Sequence, residues 1–121
     1  MNPLSPLAGT WLLTKAEMDG APAPDMVIER TSLTFQGEKY HVDFAGETAD
    51  AGLCKVVTIA GKDTLLFEST RGPYDGRRLP AIYQHQGNRM RICFGLDGKL
   101  PSEFTTAPDS QRYLVSYRRD A

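Results

Sequence analysis

The chain has 121 residues and a nearly neutral balance of 14 lysines and arginines against 15 aspartates and glutamates, which excludes electrostatic binding to nucleic acid or to an anionic membrane. The length suits one domain, residues 1–121, with enough buried surface to fold without disulfides. Two distant cysteines and two histidines give no zinc-site spacing.

The N-terminal quarter of the chain predicts one strand and one short helix. Alternating residues favour a strand at about 10–18, which ends at the Asp19-Gly20 turn. The prolines of the next segment argue against a strand there. The sequence "PDMVIER" instead predicts a short helix near 24–30, with Asp25 close to its N-terminus.

Three hairpins are predicted next, because short alternating runs flank turn-forming triplets at 36–38, 61–63 and 86–88. A long loop at 96–110 then leads to a last strand at 111–119. Eight sequential antiparallel strands with one apolar face close naturally into an up-and-down barrel, which pairs the first strand with the last. The sequence therefore predicts an all-β, eight-stranded antiparallel barrel with one short helix.

The barrel interior is the candidate ligand site, because the predicted inward faces carry aromatic side chains with few polar groups. A barrel of this size either packs solid or holds one small ligand. A cavity above about 300 Å³ would favour a ligand, and a packed interior with an exposed apolar patch would favour a structural role. The inward residues assigned to the ligand site are Trp11, Tyr40, Phe44, Phe67, Tyr83, His85 and Met90.

One histidine is a candidate for chemistry inside the barrel. His85 shares the predicted inward face with Tyr83, which indicates a position at the barrel mouth. There it would transfer a proton, or meet the polar end of a fatty or aromatic acid. The alternative is a half-buried histidine that forms a hydrogen bond at a turn.

The two cysteines are expected on opposite faces of the barrel wall. Cys54 faces in and Cys93 faces out, so a disulfide is geometrically excluded and both thiols are predicted to be free. Arg89 and Arg91 would favour a thiolate at Cys93, whereas a covered, unreactive cysteine is the alternative. No nucleophile elbow, phosphate loop or metal cluster occurs in the sequence, so we expect no catalytic residues, no cofactor and no metal.

Short motifs along nearly the whole chain resemble one family. They begin with a Gly-Thr-Trp opening and a later Asp-Gly turn. In order they are "AGTW", "DG", "GPYDGR", "IY", "GNRMRICF" and "GKLPSEF". Jointly they are similar to a small lipocalin-like paralogous domain that is abundant in planctomycete-type bacteria. The chain departs from that family in having Leu100, where an arginine is usual, and in a shorter stretch at 52–63.

The resemblance implies a role for the tryptophan and for an arginine of the last strand. In lipocalin-like barrels the tryptophan closes the narrow end and packs near that arginine. Arg119 is the candidate here and is added to the ligand-site residues, while Arg118 is the alternative. A further alternative is that Trp11 is a core residue with no arginine partner. The family brings a fold with it and no established activity.

Three functions follow as hypotheses. The first is a non-enzymatic binder of a small hydrophobic or amphipathic molecule, and the second is a structural or protein-interaction domain with a filled barrel. The third is an enzyme that uses His85 and Tyr83. The N-terminus has no basic region followed by an apolar run, and no apolar stretch approaches the ~20 residues of a membrane span. We therefore expect a cytoplasmic location and no membrane span.

Overall fold

The computed structural model describes residues 4–120, and these form a closed antiparallel barrel. A 3₁₀ turn (Ser5–Leu7) precedes the first strand, and one helix, α1 (Asp25–Arg30), precedes the third. The strands are β1 (Gly9–Met18), β2 (Ala21–Pro22), β3 (Thr31–Gln36), β4 (Lys39–Phe44), β5 (Glu47–Ile59), β6 (Lys62–Arg71), β7 (Arg78–Gln86), β8 (Arg89–Gly95) and β9 (Arg112–Arg119).

The first and last strands close the barrel. β1 pairs with β3 along one edge and with β9 along the other, so β1 and β3 to β9 form an eight-stranded ring. The short β2 pairs only with the end of β1. The prediction of an eight-stranded antiparallel barrel with one short helix is confirmed.

Two local expectations are wrong. A two-residue strand forms at Ala21–Pro22 despite its proline, because the pair lies at an edge where the missing N–H of Pro22 is not needed. The second hairpin turns at Ala60 and Gly61, with φ of 52° and 79°, rather than at 61–63. A two-residue turn of this type needs positive φ at both positions, so Lys62 already pairs in β6.

The two ends of the barrel differ. The 3₁₀ turn and the hairpin turns that follow β3, β5 and β7 lie at one end, which we term the closed end. The helix α1 and the connections that follow β4, β6 and β8 lie at the other, which we term the open end. The long connections are therefore all at the open end.

Trp11 fills the closed end and is held from two directions. Its side chain is fully buried, and its indole N–H donates to the Leu7 carbonyl at 2.9 Å. The Arg119 guanidinium lies 4.2 Å from the centroid of the Trp11 ring and donates to the carbonyls of Pro6 and Ala8 at 2.8 and 2.7 Å. The predicted pairing of Trp11 with Arg119, rather than Arg118, is confirmed.

The backbone conformation at position 9 explains why a glycine lies two residues before Trp11. Gly9 has a φ of 107°, which a side chain disfavours. A Cβ at Gly9 would make only an ordinary van der Waals contact, 3.6 Å from the Arg119 guanidinium, so the backbone conformation and not a lack of space favours glycine. The bend at Gly9 lets the segment that precedes β1 cross the closed end, where Leu4 and Leu7 are buried.

We expect Trp11→Ala to lower the free energy of unfolding by about 3–5 kcal/mol, because it leaves a cavity and removes the surface on which Arg119 stacks. Denaturant unfolding measures the loss. Met26→Ala, on the exposed side of α1, is the control and should change stability by less than about 0.5 kcal/mol. A loss below about 1 kcal/mol for Trp11→Ala would contradict its burial at the closed end.

Candidate functional site at the open end of the barrel

A cavity of about 180 Å³ lies inside the barrel near the open end, and we term it the open-end cavity. Its volume is below the 300 Å³ expected for a drug-sized ligand, so only part of the barrel is hollow. Apolar and aromatic side chains form most of its wall. The lining residues are Leu33, Tyr40, Val42, Ala49, Asp50, Phe67, Pro73, Tyr74, Leu79, Phe94, Leu96, Tyr113 and Tyr117.

The residues assigned to the ligand site from sequence divide between the two ends. Tyr40 and Phe67 line the open-end cavity. Trp11 and Arg119 lie at the closed end, as described above. Phe44, at the end of β4, is 37 % exposed and does not line the cavity.

His85 lies at the closed end and not at a mouth. Its ring packs edge-on against Trp11, with 5.6 Å between the ring centroids. Its Nε2–H donates to the Gly87 carbonyl at 2.9 Å, in the turn after β7. Met90, directly opposite His85, is buried in the core. The His85 side chain therefore stabilises the closed end, in agreement with the alternative that it is a half-buried histidine with a hydrogen bond at a turn.

Tyr83 is half-buried, and burial together with the nearby Asp63 carboxylate raises the pKa of its hydroxyl.

Asp50 contributes a carboxyl group to the cavity wall, and sequence reasoning missed this residue. The Tyr40 hydroxyl donates to Asp50 Oδ2 at 3.2 Å, and the Ser69 Oγ lies 2.7 Å from Oδ1. Ser69 is buried, and its Oγ is also 3.0 Å from the Arg71 carbonyl. These contacts gather a phenol, a hydroxyl and a carboxyl at one wall of the barrel.

Two irregularities in the pairing of β5 with its neighbouring strands shape the wall at Asp50. The pairing of β5 with β4 shifts at Val42, opposite Asp50, and its pairing with β6 shifts at Gly52. A Cβ at Gly52 would collide with the Glu68 carbonyl, so only glycine allows β6 to approach this closely. Such bulges bend a strand and redirect its side chains. Here they let Ser69 of β6 reach Asp50 of β5.

Burial raises the pKa of the Asp50 carboxyl above its usual range, and it also raises the pKa of the Tyr40 hydroxyl. The hydrogen bonds from Ser69 and Tyr40 oppose the shift at Asp50 but do not cancel it. The Ser69 hydroxyl has one hydrogen and two acceptors within reach. It can therefore donate to only one of them, Asp50 Oδ1 or the Arg71 carbonyl, at a time.

The connection between β6 and β7, residues 72–77, covers part of the cavity, and we term it the lid loop. Pro73 and Tyr74 of this loop line the cavity. The backbone N–H of Gly76 donates to the Ser69 carbonyl at 2.9 Å, and the Arg77 guanidinium donates to the Leu96 carbonyl at 2.5 Å. The "GPYDGR" motif thus forms a loop that is anchored on both sides.

Aromatic rings form a continuous series along the cavity wall. The Phe67 ring centroid lies 4.9 Å from that of Tyr40 and 4.8 Å from that of Phe94. Phe94 in turn stacks on Tyr113 at 5.9 Å. Pairs at these distances and tilts are favourable beyond the area that they bury. The wall therefore presents aromatic carbon to the cavity.

Both cysteines are free and buried, as predicted. Cys54 faces the barrel interior, and burial raises the pKa of its thiol. Cys93 lies on the outer face beneath the long loop, where its S–H donates to the Thr105 carbonyl at 3.9 Å. Burial raises the pKa of the Cys93 thiol despite the nearby Arg112. The covered, unreactive alternative therefore describes Cys93.

Comparisons with known protein families, with curated proteins and with solved structures find no match to this chain. Within residues 4–120, no helix is both long and apolar enough to cross a bilayer. In the same part of the chain, no three side chains of His, Cys, Asp or Glu come together in a way that could hold a metal ion.

We expect Asp50→Asn to raise the free energy of unfolding at pH 7. Because the pKa of Asp50 is raised in the folded state, the native protein binds this proton more tightly than the unfolded chain. The resulting stabilisation is full below the unfolded pKa of about 4 and is lost as the pH rises through the folded pKa. The difference in free energy of unfolding between Asp50→Asn and the wild type should therefore shrink as the pH falls from 7 towards about 4.

Thermal melts of the wild type and Asp50→Asn across this pH range measure the difference. Glu47→Gln, an exposed change on the same strand, is the control and should show no such trend. A wild type that is more stable than Asp50→Asn at pH 7 would contradict the unfavourable burial of the Asp50 charge.

Proposed function

We propose that the protein is a non-enzymatic binder of a small amphipathic molecule, which it holds in the open-end cavity. The observation that supports this is a partly hollow barrel whose cavity has aromatic walls and one cluster of polar groups. Binding sites for small molecules have this composition, with a few polar groups that orient the ligand. We also propose, from the sequence motifs, that the barrel is lipocalin-like.

The cavity volume limits the size of the ligand. At about 180 Å³ it is comparable to the ~150 Å³ apolar cavity that takes up benzene. One aromatic ring or a short branched chain fits, whereas a long fatty acid does not. The ligand's apolar body would contact Phe67 and Phe94, and its polar end would meet Asp50, Tyr40 and Ser69.

The enzyme hypothesis lacks its main support. His85 and Tyr83 lie away from the open-end cavity, and the His85 ring is engaged by Trp11 and Gly87. Neither side chain is positioned to act on a molecule bound there.

Calorimetric titration with three compounds that share one phenylethyl body tests the binding function. The compounds are 2-phenylethanol, 2-phenylethylamine and 3-phenylpropionate. We expect at least one of them to bind one per chain. Val42→Phe places a ring in the cavity and should weaken that binding by about tenfold or more.

Val57→Phe is the matched control. Val57 alternates with the inward Val56 on β5 and does not line the cavity, so the same change there should leave binding intact. Binding of none of the three compounds, or equal effects of the two substitutions, would contradict a site in the cavity. Native mass spectrometry of freshly purified protein would identify a small molecule that copurifies with it.

A second candidate function is protein interaction through the outer wall. A groove of about 430 Å³ crosses β7, β8, β9 and β1, and we term it the arginine groove. Arg89 and Arg118 lie directly opposite each other across β8 and β9, although like charges in that position repel. The groove is lined by Thr14, Gln84, Gln86, Arg89, Met90, Arg91, Ser116, Tyr117 and Arg118, none of which is acidic.

The occupant that this charge pattern favours is an acidic segment of a partner protein. Arg91 is already oriented, because its guanidinium stacks 4.0 Å from the Phe104 centroid and its Nε–H donates to Gln84 at 2.7 Å. A fluorescent hexaglutamate peptide should bind at low salt, and Arg89→Ala with Arg118→Ala should abolish the binding. Arg71→Ala, at an exposed position outside the groove, should not. Equal loss in both variants would contradict a specific groove.

A further inference from the structure

Asp50 has no cationic partner among residues 4–120. It is the one charged residue among those that line the open-end cavity, and it is half-buried. Between residues 4 and 120, Lys55 and Arg78 form ion pairs with Glu68, Arg112 forms one with Asp97, and His41 forms a hydrogen bond with Asp43; Asp50 takes part in none of these contacts. A partly buried carboxylate without a cationic partner is costly.

The Asp50 carboxylate retains capacity for a further contact. Tyr40 donates to Oδ2, Ser69 donates to Oδ1, and the backbone N–H of Ala51 is a third donor to the carboxylate. An ionised carboxylate offers about four acceptor positions. Three donors from the protein therefore fix the orientation of Asp50 and leave about one acceptor position free for a donor on the ligand.

The rest of the wall has the chemistry that attracts a positive charge. Six of the lining residues are aromatic: Tyr40, Phe67, Tyr74, Phe94, Tyr113 and Tyr117. The faces of aromatic rings carry negative electrostatic potential, and a ring attracts a cation within about 6 Å of its centroid. A carboxylate combined with several rings is a suitable environment for an organic ammonium group. In the part of the chain that the structure describes, no lysine or arginine lines the cavity to repel it.

We propose that the ligand of the open-end cavity is a small organic cation, an ammonium group on an apolar body, with its charge at Asp50 and its body among the rings. This inference rests on the proposed binding function and adds the class of ligand to it. A neutral ligand would leave the carboxylate desolvated and unpaired, and an anionic ligand would add a like charge. The site therefore selects against the acids that the sequence led us to expect.

The test compares the three phenylethyl compounds quantitatively at pH 7. Their apolar bodies are the same, so differences in affinity report on the polar end. We expect 2-phenylethylamine to bind at least about tenfold more tightly than 2-phenylethanol, and 3-phenylpropionate to bind most weakly. Asp50→Asn should remove the preference for the amine, so that the variant binds 2-phenylethylamine and 2-phenylethanol with affinities within about threefold of each other.

Glu47→Gln is the control for net charge, because it removes one carboxylate from the same strand at an exposed position. It should preserve the preference for the amine. The comparison in the wild type does not depend on any variant folding, and thermal melts of Asp50→Asn check that variant separately.

The outcomes separate this inference from the proposed function. If 2-phenylethanol or 3-phenylpropionate binds as tightly as the amine, binding in the cavity stands and the cation inference is overturned. If the amine is preferred but Asp50→Asn retains the preference, Asp50 is not the group that recognises the charge, and the inference is also overturned. If none of the three compounds binds, both proposals fail.

Discussion

The stacking of Arg119 on Trp11 is the interaction on which the rest of the structure depends. It joins the last strand to the first at the point where the ring of strands closes. The same guanidinium binds the carbonyls of Pro6 and Ala8, so the segment before β1 is held across the end of the barrel. A lysine has one compact charge and lacks the planar fork that both stacks and donates twice. The Arg119 side chain therefore both joins the first and last strands and holds the segment that covers the closed end.

This arrangement makes the two halves of the interior unequal. Trp11, His85, Met90, Leu4 and Leu7 fill the closed end with large side chains. The longer connections at the open end leave about 180 Å³ between the wall and the lid loop. The interior thus combines the two alternatives posed by the sequence, because one half is a packed core and the other a cavity. A solid half supports the geometry of the hollow half, as binding sites on rigid scaffolds require.

Asp50 and the arginine groove are places where the structure departs from the usual rules of stability. A half-buried carboxylate without a cation and two arginines facing each other across paired strands both lower stability. Departures of this kind are concentrated at functional sites, where a missing partner is supplied by a ligand or by another protein. These unfavourable charges are better indicators of the two candidate sites than the aromatic residues are, because the aromatic residues also form the core.

The sequence by itself determined the barrel, because alternation, turn residues and strand number are local signals that closure only completes. Its motifs also indicated Trp11 and an arginine of the last strand. Tertiary structure decided which inward residues meet at which end. Alternation assigns a residue to the inner or outer face but not to a position along the barrel axis, so His85 was expected at a mouth and lies at the closed end.

Asp50 was not predicted because the pairing of β5 is irregular there, and the small residues around it, Ala49, Ala51 and Gly52, interrupt the alternation of apolar and polar residues. Its partners, Tyr40 and Ser69, come from two other strands, and only the folded sheet brings the three together.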